Sequence, residues 1–410
     1  MNNLKNIGNL APFILPFFLI FNRTLADFGV ILISLLFLYK CIIEKQIYLN
    51  QLWIKFSIFF ILYLSSINSL FSINPFNSFL YSISFLRWPL FAIALSEWIF
   101  KDKKSINNLF ISSTFALSIF LLDIHYQYWI NPQGILGLSN YYEGRLVVPF
   151  SNNLIPGRFI GLFSLIILTI YIFKKTLGGH PINYFLISSF LFLIFFSIFL
   201  TGERMSFLIF TSSAIIILMS LYSNKNNPRQ TFFYFFFFTT IFLLSLYYLF
   251  PENFNRIFIS TFVKLNSFYN SDYGEVFIVS INKWKNNILF GGGLHQFINI
   301  EPIYGFKIWE KFKIYHAHNL PLNLLVETGL VGLILFYLII YNLISKNLQI
   351  LLSKKTMLLY LSMLSLIYCN FFPLHTHFKL SHNWINANAW FSIGIILAMI
   401  KIYEKNNPRK

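Results

Sequence analysis

What most limits the folds open to this chain is a succession of apolar stretches, each long enough to cross a bilayer core of about 30 Å as a helix. They fall at 8–22, 25–43, 52–72, 79–99, 107–129, 157–173, 182–201, 205–222, 231–250, 320–343, 356–373 and 384–402. In hydrocarbon every backbone polar group must be satisfied within the protein, so the expected fold is all-α. The sequence predicts a polytopic integral membrane protein with about 12 transmembrane helices. Residues 1–410 read as a single membrane domain, with one long outer loop at 251–319 between spans 9 and 10.

Composition agrees, since 57% of the residues are hydrophobic and only 11% are charged, outside the usual range of soluble domains. Phe occurs 52 times, with a run from Phe232 to Phe238; the accompanying Asn, Ile, Lys and Tyr point to AT-rich codons rather than to chemistry. The net charge of +17 does not indicate nucleic acid, because there is no soluble basic domain to bind it. A polytopic protein instead gathers Lys and Arg on its cytoplasmic side. Cys41 and Cys369 both lie in apolar stretches, which argues against a disulfide framework. The first apolar segment leads directly into the second, so no cleavable signal peptide is expected.

Placing the N-terminus in the cytoplasm puts Lys40 and Lys45, Lys101, Lys103 and Lys104, Lys174 and Lys175, Lys225 and Arg229, Lys346, Lys354 and Lys355, and the C-terminal Lys405, Arg409 and Lys410 on the inside, as the positive-inside rule requires. The outer connections are then 130–156, the turn around Arg204, 251–319 and 374–383. Long translocated loops escape the charge rule, so Lys283, Lys285, Lys307, Lys311 and Lys313 are compatible with an outer position. Seven of the eight histidines, all but His180, fall on or near the outer face. A bacterial inner membrane protein with cytoplasmic termini and a periplasmic active site is the expected arrangement. No repeat relates the two halves, which weakens a transporter reading.

Within the long loop, "VFIVSINKWKNNILF" spaces Phe277, Ile281, Trp284 and Ile288 by four, three and four residues, predicting an amphipathic helix on the membrane surface with those four residues as its apolar stripe. Gly291-Gly292-Gly293 follows; three glycines suit a sharp turn better than a phosphate cradle. The segment "YHAHNLPLNLLVETGLVG", residues 315–332, then enters span 10 with two histidines and an asparagine. A histidine before a membrane helix is commonly interfacial, and Asn319 suits a helix cap. Arg204, in "LTGERMSF", is costly at a span end unless it is interfacial, paired with Glu203, or functional. Arg145 and Arg158 read as loop charges, Arg87 as a structural partner between helices, and Glu327 as buried and paired.

The spacing His318-Asn319, nine residues, Gly329, two residues, Gly332, together with "ILFGGGLHQF" and the Thr-Gly-x-Arg of "LTGERMSF", resembles the bacterial O-antigen ligase family and its O-antigen polymerase relatives over about residues 120–400. That resemblance implies a GT-C-like glycosyltransferase architecture, an essential histidine at His318 and an essential arginine at Arg204. It implies a donor glycan carried on a polyprenyl (undecaprenyl) diphosphate and, for a ligase, lipid A-core as the acceptor; for a polymerase, the acceptor is another lipid-linked repeat. Family members carry a second essential arginine in the long loop just before its helix. Here "SDYGEVFIVSINKW" has Glu275 and no arginine, leaving Arg256 or Lys283 to substitute, or a different acceptor.

Histidine suits removal of a proton from an acceptor hydroxyl, because its unperturbed pKa lies near ambient pH. Arginine suits a diphosphate, because its planar fork forms paired, charge-assisted bonds to phosphate oxygens. His318 is therefore the expected base and Arg204 the diphosphate ligand. Arg158, Arg145, Arg256 and Lys283 are candidate substrate-binding cations, with His316 and Asn319 orienting His318 or the sugar. The diphosphate already leaves well, so no metal or other cofactor is expected. A zinc site built from His375, His377 and His382 with His316 and His318 is the rival chemistry. Against it, the carboxylate pairs of metal-dependent lipid-linked glycosyltransferases are missing, and Asp27 stands alone in the first outer connection. A polysaccharide or lipid flippase is a further alternative, but it needs charges along a transmembrane path, whereas these gather at one face.

Overall fold

The structure is a computed structural model that describes residues 2–137, 144–149, 153–223, 240–301, 315–353, 355–375 and 379–407. The Phe232–Phe238 run, His377, and Lys307, Lys311 and Lys313 lie outside the described residues. The chain is a polytopic helical protein with no β-strand among the described residues. Its helices are α1 (Asn2–Phe21), α2 (Arg23–Glu44), α3 (Leu52–Tyr63), α4 (Pro75–Ser84), α5 (Arg87–Ala94), α6 (Lys103–Trp129), α7 (Pro156–Gly178), α8 (Tyr184–Leu200) and α9 (Arg204–Ser223). They continue with α10 (Thr240–Leu249), α11 (Pro251–Phe254), α12 (Ser260–Asn266), α13 (Asp272–Lys285), α14 (Leu320–Asn342), α15 (Met357–Phe371) and α16 (Asn383–Asn406).

Among the described residues eight helical segments are long and apolar enough to cross a membrane, and shorter apolar helices occupy Leu52–Asn68, Tyr184–Leu200, Thr240–Leu249 and Met357–Phe371. Helices α7 and α16 are the inner pillars, since 94% of each apolar window is buried, against 33% for α1 and α2. A helix apolar all round belongs in such a centre. The outer helices turn residues such as Phe28, Leu35, Phe59 and Phe115 outward.

Helix ends and prolines explain the polar contacts in this apolar packing. Pro16 lacks the N–H that would bond the Pro12 carbonyl, and Ser112 Oγ of α6 donates to that carbonyl instead at 2.6 Å. Near the C-terminal end of α1, the Leu19 carbonyl accepts from Trp384 Nε1 at 2.7 Å and from Asn388 Nδ2 at 3.4 Å. Arg87 is paired between helices: its Nη2 donates to Asn383 Oδ1 at 2.9 Å and lies 3.4 Å from Asp27 Oδ1. Asp27, solitary in sequence, is thus partnered in space.

Helix α14 is broken at Gly329, whose φ of 68° and ψ of −174° lie outside the helical region, in a conformation essentially restricted to glycine. The glycine turn fills the break. Gly292 N–H donates to the Val326 carbonyl and Gly293 N–H to the Glu327 carbonyl, both at 2.9 Å. In the other direction, Leu330 and Val331 N–H donate to the carbonyls of Ile288 and Leu289 at 3.0 and 3.2 Å. Tyr63 Oη adds a bond to the Thr328 carbonyl at 2.7 Å, and Asn68 Nδ2 adds one to Glu327 O at 2.9 Å. The backbones touch: a Cβ at Gly329 would stand 2.2 Å from Leu289 O. Gly291–Gly293 is therefore a turn: Gly291 N–H donates to the Asn287 carbonyl, and the N–H groups of Gly292 and Gly293 serve α14 rather than a phosphate.

The loop helix is present as α13, but its stripe differs from the expected one. Val276, Val279, Ser280, Asn282 and Lys283 are buried, whereas Phe277, Ile281 and Trp284 are only partly buried and Ile288 lies exposed beyond the helix end. The physical reason is Lys283. Its ammonium donates to the Phe297 carbonyl at 2.8 Å and lies 4.7 Å from the centre of the Phe297 ring, so a nominally polar position turns inward with Val276 and Val279. This face packs on α14, forming a small second core with Phe297, Ile300 and Val326.

Candidate functional site

Three arginines from three separate segments meet beyond the C-terminal ends of α6 and α8. Arg145 follows α6, Arg204 begins α9, and Arg256 sits in a π-helical turn, Asn255–Ile259, between α11 and α12. A π turn inside an α-helical run often marks a functional position. Arg204 Nε donates to the Arg256 carbonyl at 2.8 Å, and Arg256 Nε donates to the Gly202 carbonyl at 3.0 Å. Arg145 Nη2 donates to the Leu154 carbonyl at 2.8 Å. Each guanidinium thus bonds a neutral carbonyl and leaves further N–H groups without a partner among the described residues; the buried Arg145 Nε is one. Burial lowers the pKa of Arg256, and the charges of Arg145 and Arg204 lower it further.

The local sequence explains this convergence. Gly202 has φ of 69°, and a Cβ there would lie 2.4 Å from the Gly144 carbonyl and 3.2 Å from Arg256 Cδ. The glycine of Thr-Gly-x-Arg therefore admits two other chain segments at once. Asp123 and Gln127, near the end of α6, hold the Arg145 segment. Asp123 Oδ1 accepts from Ile135 N–H at 2.8 Å, and Gln127 Nε2 donates to the Val147 carbonyl at 3.2 Å. Asn253 Nδ2 ties the Arg256 turn to the Phe199 and Leu200 carbonyls at 3.2 and 3.1 Å.

Glu203 does not pair with Arg204. Its carboxylate accepts from Gly157 N–H at 2.8 Å and from Ser206 Oγ at 2.6 Å, standing at the positive end of α7 where an anion is favoured. Burial nevertheless pushes its pKa up to about 7, partly countered by the Ser206 and Gly157 bonds. This leaves Arg204 free of its neighbouring carboxylate.

Tyr273, in the first turn of α13, stands against the histidine segment. Its ring centre is 6.1 Å from that of His318, edge to face. His318 is half-buried with φ of 49°, a left-handed conformation uncommon for a residue with a Cβ and frequent at functional sites. The His316 ring stands 4.0 Å from the His318 ring, and His318 N–H donates to His316 Nδ1 at 3.3 Å. His316 therefore orients the His318 backbone. Asn319 is the N-cap of α14, accepting from Leu322 N–H at 3.0 Å.

The remaining candidates are placed differently. Arg158 is 4% exposed and its Nη1 lies against the His375 ring, 2.9 Å from Nδ1, while its buried Nη2 has no partner among the described residues. Lys283 is directed into the small core described above. Burial lowers its pKa to about 7. His382 caps α16 through Nδ1, 3.4 Å from Ile385 N; burial, with the charges of Arg23, Lys379 and Arg158, lowers its pKa to about 3. Among the described residues no three His, Cys, Asp or Glu side chains stand together as metal ligands do.

Sequence reasoning missed Tyr273 and Gly202 as the point of contact. For Gly202 the signal was present, a glycine two residues before an arginine at a span end. For Tyr273 there was none, since its neighbour His318 is 45 residues away in the chain.

Comparison with known proteins gives a family match over residues 189–337, described as "O-Antigen ligase". That interval contains Arg204, Arg256, His318 and the break of α14 at Gly329. No curated protein matches the sequence. Among solved structures, a chain from "Structural coordination of polymerization and crosslinking by a peptidoglycan synthase complex" aligns over 88% of this chain and 100% of its own length, at 13% identity and a TM-score of 0.48.

Proposed function

We propose that the chain is a glycosyltransferase of the O-antigen ligase and polymerase superfamily, a reading supported by the match at residues 189–337, and that it transfers a glycan from a polyprenyl diphosphate to an acceptor hydroxyl, with lipid A-core as the acceptor. Arg145, Arg204 and Arg256 hold the diphosphate, and Arg256 takes the place of the long-loop arginine that the family carries elsewhere. His318 accepts the hydroxyl proton as the new bond to the anomeric carbon forms. The bond from that carbon to the diphosphate oxygen breaks, and its electron pair leaves with the diphosphate, where the guanidinium groups stabilise the growing charge. His316 and Asn319 act on His318 through its backbone and its helix. The reaction takes place on the periplasmic side of the inner membrane.

The observation that carries this reading is the grouping of three guanidinium groups whose partners among the described residues are all carbonyls, in a chain that also holds His318 in a strained conformation. Like charges are held together at a cost that a bound polyanion removes. The test is transfer by purified protein from a lipid-linked donor to lipid A-core, compared in wild type and in Arg256→Ala. Equal rates would remove Arg256 from the diphosphate site. A deletion strain separates the two acceptors: core lacking chains with lipid-linked polymer accumulating means ligase, whereas core bearing single repeats means polymerase. Because the proposed step uses no metal, transfer should survive strong chelation, and loss with rescue by Zn²⁺ would overturn that part.

A further inference from the structure

At the end of the bundle away from the arginines, the N-terminal hairpin and the α5–α6 junction enclose a cavity of about 220 Å³ lined by Leu4, Lys5, Lys40, Glu44, Trp98 and Lys101, with Ile43 at its edge. We propose that this cavity binds the phosphate of an anionic phospholipid headgroup. It faces away from the active site, because Lys101 directly precedes α6 and Arg145 follows it, and a helix of 27 residues is roughly 40 Å long. With the orientation proposed above, the lipid comes from the cytoplasmic leaflet.

Three features point to this ligand. The lysines come from three different elements: Lys5 from α1, Lys40 from α2, and Lys101 from the junction after α5. Lys40 is already paired with Glu44, whereas Lys5 and Lys101 make no salt bridge among the described residues. The cavity therefore keeps two cations without a fixed counter-charge, which suits one phosphate diester. Its remaining wall is apolar, through Leu4, Ile43 and Trp98, and the adjacent Ile42 is 75% exposed on the flank of the bundle. A free phosphate gains nothing from such a wall, but a headgroup whose acyl chains continue along the flank does. Basic pockets between helices at the cytoplasmic face are well suited to anionic headgroups.

The experiment titrates the full chain in detergent with phosphatidylglycerol, phosphatidylcholine or inorganic phosphate, reading bound ligand by native mass spectrometry. Wild type is expected to bind phosphatidylglycerol in preference to phosphatidylcholine, and Lys5→Gln with Lys101→Gln to weaken it roughly 25-fold, about fivefold per lysine. The double variant must melt at the same temperature as wild type in lipid-free detergent, and if it does not, the single variants are used, each expected to lose about fivefold. Equal binding of the two lipids, or unchanged affinity in the variants, overturns the proposal. Inorganic phosphate binding as tightly as phosphatidylglycerol, with loss in the same variants, overturns the lipid as the source. None of these outcomes depends on glycosyl transfer, so the proposed function stands or falls separately.

Discussion

Two regions of the molecule concentrate polar groups, and they resolve them in opposite ways. At the Gly329 break, the carbonyls of Val326, Glu327 and Thr328 and the N–H groups of Leu330 and Val331 all find partners, from Ile288 and Leu289, the glycine turn, Tyr63 and Asn68. At the arginine cluster, three guanidinium groups bond only carbonyls, and N–H groups are left over. Buried polar groups in native proteins are nearly always bonded, so the satisfied main-chain groups at the break read as architecture, even though Asn68 Oδ1 there has no partner among the described residues, and the unsatisfied guanidinium groups read as a place for a ligand. The contrast predicts that substitutions at the first region change how much folded protein exists, and substitutions at the second change how fast it works.

The largest effect is expected at His318, the proposed base. His318→Ala should lower the transfer rate by about 10²- to 10⁴-fold, the usual contribution of a general base, while protein level and membrane insertion stay unchanged. Full complementation by this variant would end the catalytic assignment. Next comes Arg204→Lys, which keeps the charge but loses one of two parallel bonds. The loss of roughly 1.5–3 kcal/mol corresponds to about a 10- to 150-fold lower rate, measured as initial velocity at matched protein levels. If Arg204→Lys equals wild type, the diphosphate role passes to Arg145 or Arg256.

A third substitution probes the other side of the comparison. Gly329→Ala places a Cβ against Leu289 O in a glycine-only conformation, costing about 1–3 kcal/mol in backbone strain before any overlap is counted. Folded yield in detergent should fall, and the rate per folded molecule should not. A normal yield with a slowed reaction would mean that the break belongs to the catalytic machinery.

The smallest expected effect is a pH dependence. Glu203 has its pKa raised to about 7 by burial, so between the ordinary glutamate value near about 4.3 and that point the folded state holds more protons than the unfolded one. Its contribution to stability is full below that range and is lost as pH rises through about 7. Glu203→Gln should flatten this part of the melting-temperature profile, and identical profiles for variant and wild type would show that Glu203 does not titrate there.

The apolar stretches were legible because a membrane leaves so few choices: each of the predicted segments holds an apolar helix among the described residues, α14 and its Asn319 cap included. The face of α13 was not legible, because Lys283 counts as polar in any periodicity and becomes buried only through a carbonyl and a ring that arrive from Phe297. The grouping of Arg145, Arg204 and Arg256 was equally hidden. A turn at Gly202 brings them together, and chain spacing says nothing about three segments meeting at one glycine. Motif resemblance singled out Arg204 and His318, but it left Arg256 and Lys283 equivalent. Their surroundings separate them, one at the cluster and the other inside the small core.

The clasp at Gly329 also bears on how freely this chain can vary. Its ladder is written almost wholly in main-chain atoms, which every amino acid except proline supplies, and the side chains on either strand of contact, Leu289 at 53% and Leu330 at 38% exposure, point partly away. Such a junction has low information content: four ladder positions can drift while two or three glycines cannot. A saturation library over 288–293 and 326–331, selected for folded protein, should therefore return nearly any apolar residue at Leu289 and Leu330, reject proline at Gly292, Gly293, Leu330 and Val331, and retain glycine at Gly291 and Gly329.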